Sequence, residues 1–116
     1  MNDPEVTMPN QLIAHSTALE AAGLALALAG QVPAPLRCLA EQLVRAASSV
    51  PANLSEGHGR TGRDRLHHWR IAHGSLEEAR TALRVAEALG YLRLDSLRPA
   101  LQLVDRTVGL VWGLVH

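Results

Sequence analysis

The sequence predicts an all-α fold, an antiparallel up-and-down bundle of four helices. Three observations carry that expectation. Apolar residues make up 47% of the 116-residue chain, yet aromatics make up only 3%, with no Phe and with Tyr91, Trp69 and Trp112 standing alone. The apolar set is dominated instead by Ala and Leu, which favour helix. Strand-favouring β-branched residues are sparse before the last segment. Apolar positions also recur three and four apart in four separate segments, the spacing that lines one helical face. Links of about five or six residues join those segments, which forces successive helices to run antiparallel.

Residues 1–9 are polar, with Pro4 and Pro9, and read as a flexible N-terminal tail ahead of one bundle domain over 10–116. The first helix is expected over 10–29, with Leu12, His15, Leu19, Ala22, Leu26 and Ala29 as its seam. Gly30 stops it, and Pro33 and Pro35 follow. The second is expected over 35–57, with Pro35 in the first turn and a seam of Leu36, Leu39, Leu43, Ala46, Val50 and Asn53. Pro51 lies inside that pattern. It has no N–H for the carbonyl of Ala47, so a kink is expected there. The third helix is expected over 63–89. Trp69, Ala72, Leu76, Ala79, Leu83 and Ala86 alternate large and small, which lets a neighbour approach closely. A second seam of Ile71, Ser75, Glu78, Ala82, Val85 and Leu89 gives this helix two apolar sides, and Gly90 is its C-cap. The fourth is expected over 96–115, with Ser96 as N-cap and Pro99 in the first turn. Its stripe is Leu97, Leu101, Val104, Val108, Val111 and Val115. Leu103, Leu110 and Leu114 broaden it beyond the needs of one core.

Composition excludes several classes of protein. Eleven basic residues, all Arg, balance eleven acidic ones, so the molecule as a whole does not attract polyanions. Cys38 is the single cysteine, so no intramolecular disulfide forms, as suits a reducing compartment. No run of about 18 uninterrupted apolar residues marks a membrane span. The start lacks the basic residues of a signal peptide. The cytoplasm is the expected compartment.

Two motifs stand out. One is Gln42-Leu-Val-Arg-Ala-Ala-Ser-Ser-Val-Pro-Ala-Asn-Leu-Ser-Glu-Gly-His-Gly59, followed by Arg60. The other is Ile71-Ala-His-Gly74-Ser75-Leu-Glu-Glu78, followed by Leu89-Gly90-Tyr91. Together they resemble the four-helix-bundle family of the 23S ribosomal RNA intervening-sequence proteins, which includes the accessory variability protein of diversity-generating retroelements. The resemblance covers about residues 11–115. It implies an up-down bundle that assembles as a homopentameric ring. No cofactor is expected. In the retroelement branch it implies a basic barrel that binds nucleic acid and a reverse transcriptase. The chain departs from the pattern where Val44 precedes Arg45, where His58 replaces an aromatic, and in its neutral charge.

The candidate sites follow. Arg60, Arg63, Arg65 and Arg70, with Asp64 as the one acid among them, make a local basic patch at the start of the third helix, to which Arg45 of the motif is added. Such a patch can hold phosphates of RNA or DNA. The plainer reading is a solvated link whose arginines pair with nearby glutamates. Pro51, Asn53, Glu56, Gly57, Gly74 and Ser75 read as a structural motif. In it Asn53 bonds the carbonyl freed by Pro51, and Glu56 pairs with Arg45 or Arg60. Leu103, Leu110, Leu114 and Trp112 are the expected oligomer interface. No two histidines lie four apart, and Cys38 has no cysteine partner, so no metal site is expected. No nucleophile or paired carboxylate is identifiable, so no enzyme is expected. A small-ligand site in the core would have to draw on Asn53, Glu56, Glu78 and His15. The function these features favour is a non-enzymatic oligomeric scaffold. The alternative is a nucleic-acid or reverse-transcriptase partner using the arginine patch.

Overall fold

A computed structural model describes residues 9–116. The expected tail, residues 1–9, lies outside the described residues except for Pro9. Four helices follow: α1 (Asn10–Ala29), α2 (Arg37–His58), α3 (Gly62–Leu89) and α4 (Leu94–Val115), with a 3-10 turn at Ala34–Leu36 before α2. There is no strand among the described residues. Each helix packs on its neighbours in sequence and α4 returns onto α1, which is the up-and-down bundle; the α2–α3 pair is the most extensive.

The helix ends follow backbone chemistry. Gly90 closes α3 in the left-handed conformation (φ 73°), where its N–H reaches the carbonyls of Ala86 and Glu87. Gly57, the expected last residue of α2, is buried inside the helix, which runs one residue further to His58. Pro35 falls in the 3-10 turn rather than in α2 itself. The fourth helix starts two residues before the expected Ser96 cap. The N–H groups of Ser96 and Leu97 both bond the carbonyl of Arg93, so the first turn is already wound there and Pro99 lies inside the helix. The second helix runs through Pro51.

The core is built from Leu43, Ala46, Ala47, Val50 and Leu54 of α2, the large-small row Trp69 to Ala86 of α3, and Leu97, Leu101, Val104 and Val111 of α4. These match the expected stripes of those helices. The first helix does not match. Its buried face is Ala14, Thr17, Ala18, Ala21, Ala22, Ala25, Leu28 and Ala29. Three leucines of the expected seam face outward instead: Leu12 is 40% exposed, Leu19 52% and Leu26 42%. The reason is steric. A face of alanines lets α1 settle close against α2 and α4, and a row of leucines there would hold it off. Because α1 is apolar nearly all round, its periodicity gave little contrast to choose between the two faces.

Polar residues from Asn10 to Glu20 interrupt α1, so it holds no uninterrupted apolar run of 18, yet by length and mean hydropathy Asn10–Ala29 is apolar enough to cross a membrane, with 44% of its most apolar window buried in the bundle. Its alanine side is the core side of a bundle helix, and the leucine side is left over.

Candidate functional site

The corner between α2 and α3 is built on a close approach. The last carbonyls of any helix lack intrahelical donors. Here Arg65 supplies them: its Nε donates to the carbonyl of Gly57 at 3.1 Å and its Nη2 to that of His58 at 3.2 Å. The same guanidinium lies over the ring of Trp69, 5.3 Å from its centroid. Buried Trp69 donates from Nε1 to the carbonyl of Leu54 at 3.4 Å. Its indole rests directly on Gly57. A Cβ on that glycine would stand 2.5 Å from two indole atoms. Gly57 is therefore the residue that admits Trp69. Gly74, by contrast, is exposed and has open space where a Cβ would go.

Beside this corner runs a polar row between α2 and α3. Asn53 donates from Nδ2 to the carbonyl of Ser49 at 2.9 Å and to its Oγ at 3.0 Å. Ser75 donates to the same Oγ at 2.9 Å, which ties the two sequence motifs together across the helix pair. Because a carbonyl only accepts, the amide nitrogen of Asn53 faces Ser49 and its Oδ1 faces outward. That oxygen lies 3.3 Å from Nδ1 of His68, a contact that is a hydrogen bond in the tautomer with its proton on Nδ1. The expected partner of Asn53 was the carbonyl freed by Pro51, that of Ala47. The side chain points instead along its own helix to the carbonyl one turn back, at Ser49.

The basic patch is smaller than its arginine count. Glu56 accepts from Nη2 of Arg60 at 2.6 Å and from Nε at 3.0 Å, and Asp64 lies 3.8 Å from the same guanidinium. The bond from Arg60, then its charge, holds the Glu56 carboxyl below the usual carboxylate range, and Glu56 in turn raises Arg60. Arg65 is occupied at the corner. Arg45 lies elsewhere, on the groove between α2 and α3 with Leu39, Gln42, Glu78, Thr81, Ala82 and Val85. That leaves Arg63 and Arg70, both exposed and without an ion pair among the described residues.

The fold adds something the spacing did not show. His15 is near the start of α1, His58 ends α2, His67, His68 and His73 lie in the first half of α3, and His116 follows α4. In an up-and-down bundle those positions share one end, so all six histidines stand with Arg63 and Arg70. Trp112 belongs to the same end and is 52% exposed. The His116 ring stacks on it at 3.4 Å with an interplanar angle of 16°, and His73 approaches within 5.8 Å. The signal was present in the sequence, as histidines that fall near alternate ends of successive helices.

The four residues of the expected interface on α4 differ in exposure. Leu103, Leu110 and Leu114 are partly buried against the molecule's own core, and of that set Trp112 alone is exposed. The surplus apolar surface lies on α1, as the leucine row, and on α3 at Ile71, Val85 and Leu89. The missed signal was the seven-residue spacing of Leu12, Leu19 and Leu26 opposite a row of alanines.

Little converges inside. A void among Ala18, Ala22, Ala47, Val50, Leu76 and Val104 has a volume of about 10 Å³ and an apolar lining, room for one water at most and with nothing polar to hold it. Among the described residues no three His, Cys, Asp or Glu side chains form a metal-binding group.

The fold and the interhelical motif define the class: an antiparallel four-helix-bundle protein whose second and third helices are joined by a polar row and a glycine–tryptophan contact. The chain belongs to the 23S rRNA-intervening sequence protein family, whose model matches residues 11–113. Among solved structures it is similar to a protein of unknown function from the S23 ribosomal protein family of Bacteroides thetaiotaomicron. The two share 16% identity with a TM-score of 0.82, over 92% of this chain and 98% of that one. At that identity the likeness concerns the fold. No curated protein matches the chain.

Proposed function

We propose that this chain is a non-enzymatic scaffold whose subunits close into a homopentameric ring. The observation that carries the reading is the leucine row of α1. Leu12, Leu19 and Leu26 present a continuous apolar strip to solvent on a helix whose other face is already buried. A strip of that kind favours association. A core void of about 10 Å³ leaves no room for a substrate in the bundle interior, which weighs against an enzyme. Light scattering after gel filtration tests the reading directly. The expected mass is five times the 12.5 kDa of one chain. A monomer at micromolar concentration refutes it.

One observation favours a second reading. Arg63, Arg70, all six histidines and half-exposed Trp112 gather at one end of the bundle. That end suits RNA or DNA, with cations for phosphates and an aromatic face for a base. In a ring the patches of several subunits would repeat around one rim. The expected result is binding of a single-stranded oligonucleotide that weakens with salt and weakens further in the R63A/R70A variant. Absence of binding at low salt refutes it. A reverse transcriptase as protein partner would be read by co-purification of the two chains.

A further inference from the structure

The groove between α2 and α3 lies on the outside of the bundle, in the half away from the histidines. Its lining is ordered along its length. Ser75 bonds Ser49 across the helix pair. Counted from that bond along two antiparallel helices, Arg45 stands level with Glu78, Gln42 with Thr81 and Ala82, and Leu39 with Val85. One end is therefore charged, the middle is polar, and the far end is apolar, with buried Ala82 as its floor.

The charged end holds both signs. Glu77 is committed to Arg80 at 2.7 Å, but neither Arg45 nor Glu78 has an ion pair among the described residues. A cation and a carboxylate that stand level on facing helices without meeting leave a gap for a group that carries both opposite charges. We infer that this groove binds a free α-amino acid with a large apolar side chain. Its carboxylate accepts from the Arg45 guanidinium and its ammonium donates to the Glu78 carboxylate. Its side chain lies over Ala82 toward Leu39 and Val85. From the level of Arg45 to that of Leu39 is six residues, about 9 Å at 1.5 Å per residue. An aromatic or branched side chain covers that span, and a glycine does not. The groove's volume of about 430 Å³ lies at the small end of ligand pockets.

Charge separates this ligand from its nearest rivals. A peptide terminus brings a single charge, and so satisfies Arg45 or Glu78 but not both. A nucleic-acid phosphate meets Arg45 and is repelled by Glu77 and Glu78. A divalent cation meets the two glutamates and is repelled by Arg45. The groove is a surface site and places nothing in the bundle interior.

Titration of the full chain with L-phenylalanine, followed by amide NMR, tests this. Saturable shifts are expected at Gln42, Arg45, Glu78 and Val85, and none at Trp112. N-acetyl-L-phenylalanine and L-phenylalanine amide each lack one charge and imitate the two ends of a peptide. Each is expected to bind at least about tenfold more weakly, as is glycine. Arg45→Gln and Glu78→Gln are each expected to weaken L-phenylalanine about tenfold. Neither side chain pairs within the chain, so both variants are expected to fold, as circular dichroism checks. Arg45→Gln is further expected to bind L-phenylalanine no more tightly than its amide, a loss of selectivity that mere distortion of the groove does not produce. Absence of saturable shifts at millimolar L-phenylalanine overturns the inference. So does equal binding of the acetylated or amidated form by the unmodified protein.

Discussion

Replacing Gly57 by alanine separates two opposed effects with known signs. The position lies inside a helix, at no strained backbone angle, so propensity alone favours alanine by about 1 kcal/mol. The new Cβ, however, would stand 2.5 Å from two indole atoms of Trp69 and 3.2 Å from the carbonyl oxygen of Arg65. The indole is buried and rigid, and it donates to Leu54, so it has no free path away. Overpacking of this kind costs about 1–3 kcal/mol, and the displaced indole forfeits a hydrogen bond worth about 1 kcal/mol more. The net expectation is a loss of about 1–3 kcal/mol, read by urea denaturation with the slope held constant. Gly109→Ala is the control. That glycine is helical and exposed, and open space surrounds its missing Cβ, so the change is expected to stabilise by about 0.5–1 kcal/mol. Adding Trp69→Leu to Gly57→Ala should recover part of the loss, as a coupling of about 1 kcal/mol between the sites. A Gly57→Ala protein as stabilised as the Gly109→Ala control refutes the account of why glycine stands there.

Three further outcomes follow from the same corner. Asn53→Ala is expected to cost about 1–2 kcal/mol by removing the bonds to Ser49 and His68, and nitrogen NMR should find the His68 proton on Nδ1 before the change and released from that site after it; a proton on Nε2 in the unmodified protein contradicts the assigned tautomer. The Glu56 carboxyl, held low by Arg60, should titrate below an unpaired glutamate in carbon NMR and rise in Arg60→Gln. Since the folded value lies below the unfolded one, the pair adds stability at neutral pH and loses it as pH falls from the ordinary carboxylate range through the folded value. Acid sensitivity unchanged in Arg60→Gln would count against it. The bend expected at Pro51 is checked by Pro51→Ala, which restores an N–H for the carbonyl of Ala47 and is expected to straighten α2; an unaltered helix axis in the crystal structure of that variant rejects the bend.

The sequence was legible wherever its pattern had contrast. On α3, large and small residues alternate at fixed spacing, and Trp69 through Ala86 are buried as their spacing predicts. On α2 and α4 polar residues interrupt the apolar rows and mark the outer face. On α1 alanines and leucines occur all round the helix, and the choice between an alanine face and a leucine face belongs to its neighbours. Periodicity picked the leucines because they carry more hydrophobic area. Close packing picked the alanines because two helices can then press against the third.

The site divides in the same way. Local chemistry placed Glu56 within reach of Arg60, four residues along, and placed Gly90 at the end of α3. It did not show that Arg65 would turn back to the carbonyls of α2, or that Arg45 would stand apart from the other arginines. Nor did it show that Gly57 is there to receive an indole twelve residues away. The sequence by itself determined the helices, their order and their antiparallel course, because those depend on spacing and on links too short for any other path. Only the tertiary structure decided which apolar face of α1 stays exposed, which arginines remain without an ion pair among the described residues, and that six histidines gather at one end. Those outcomes depend on which surfaces meet, and residues far apart in the chain settle that jointly.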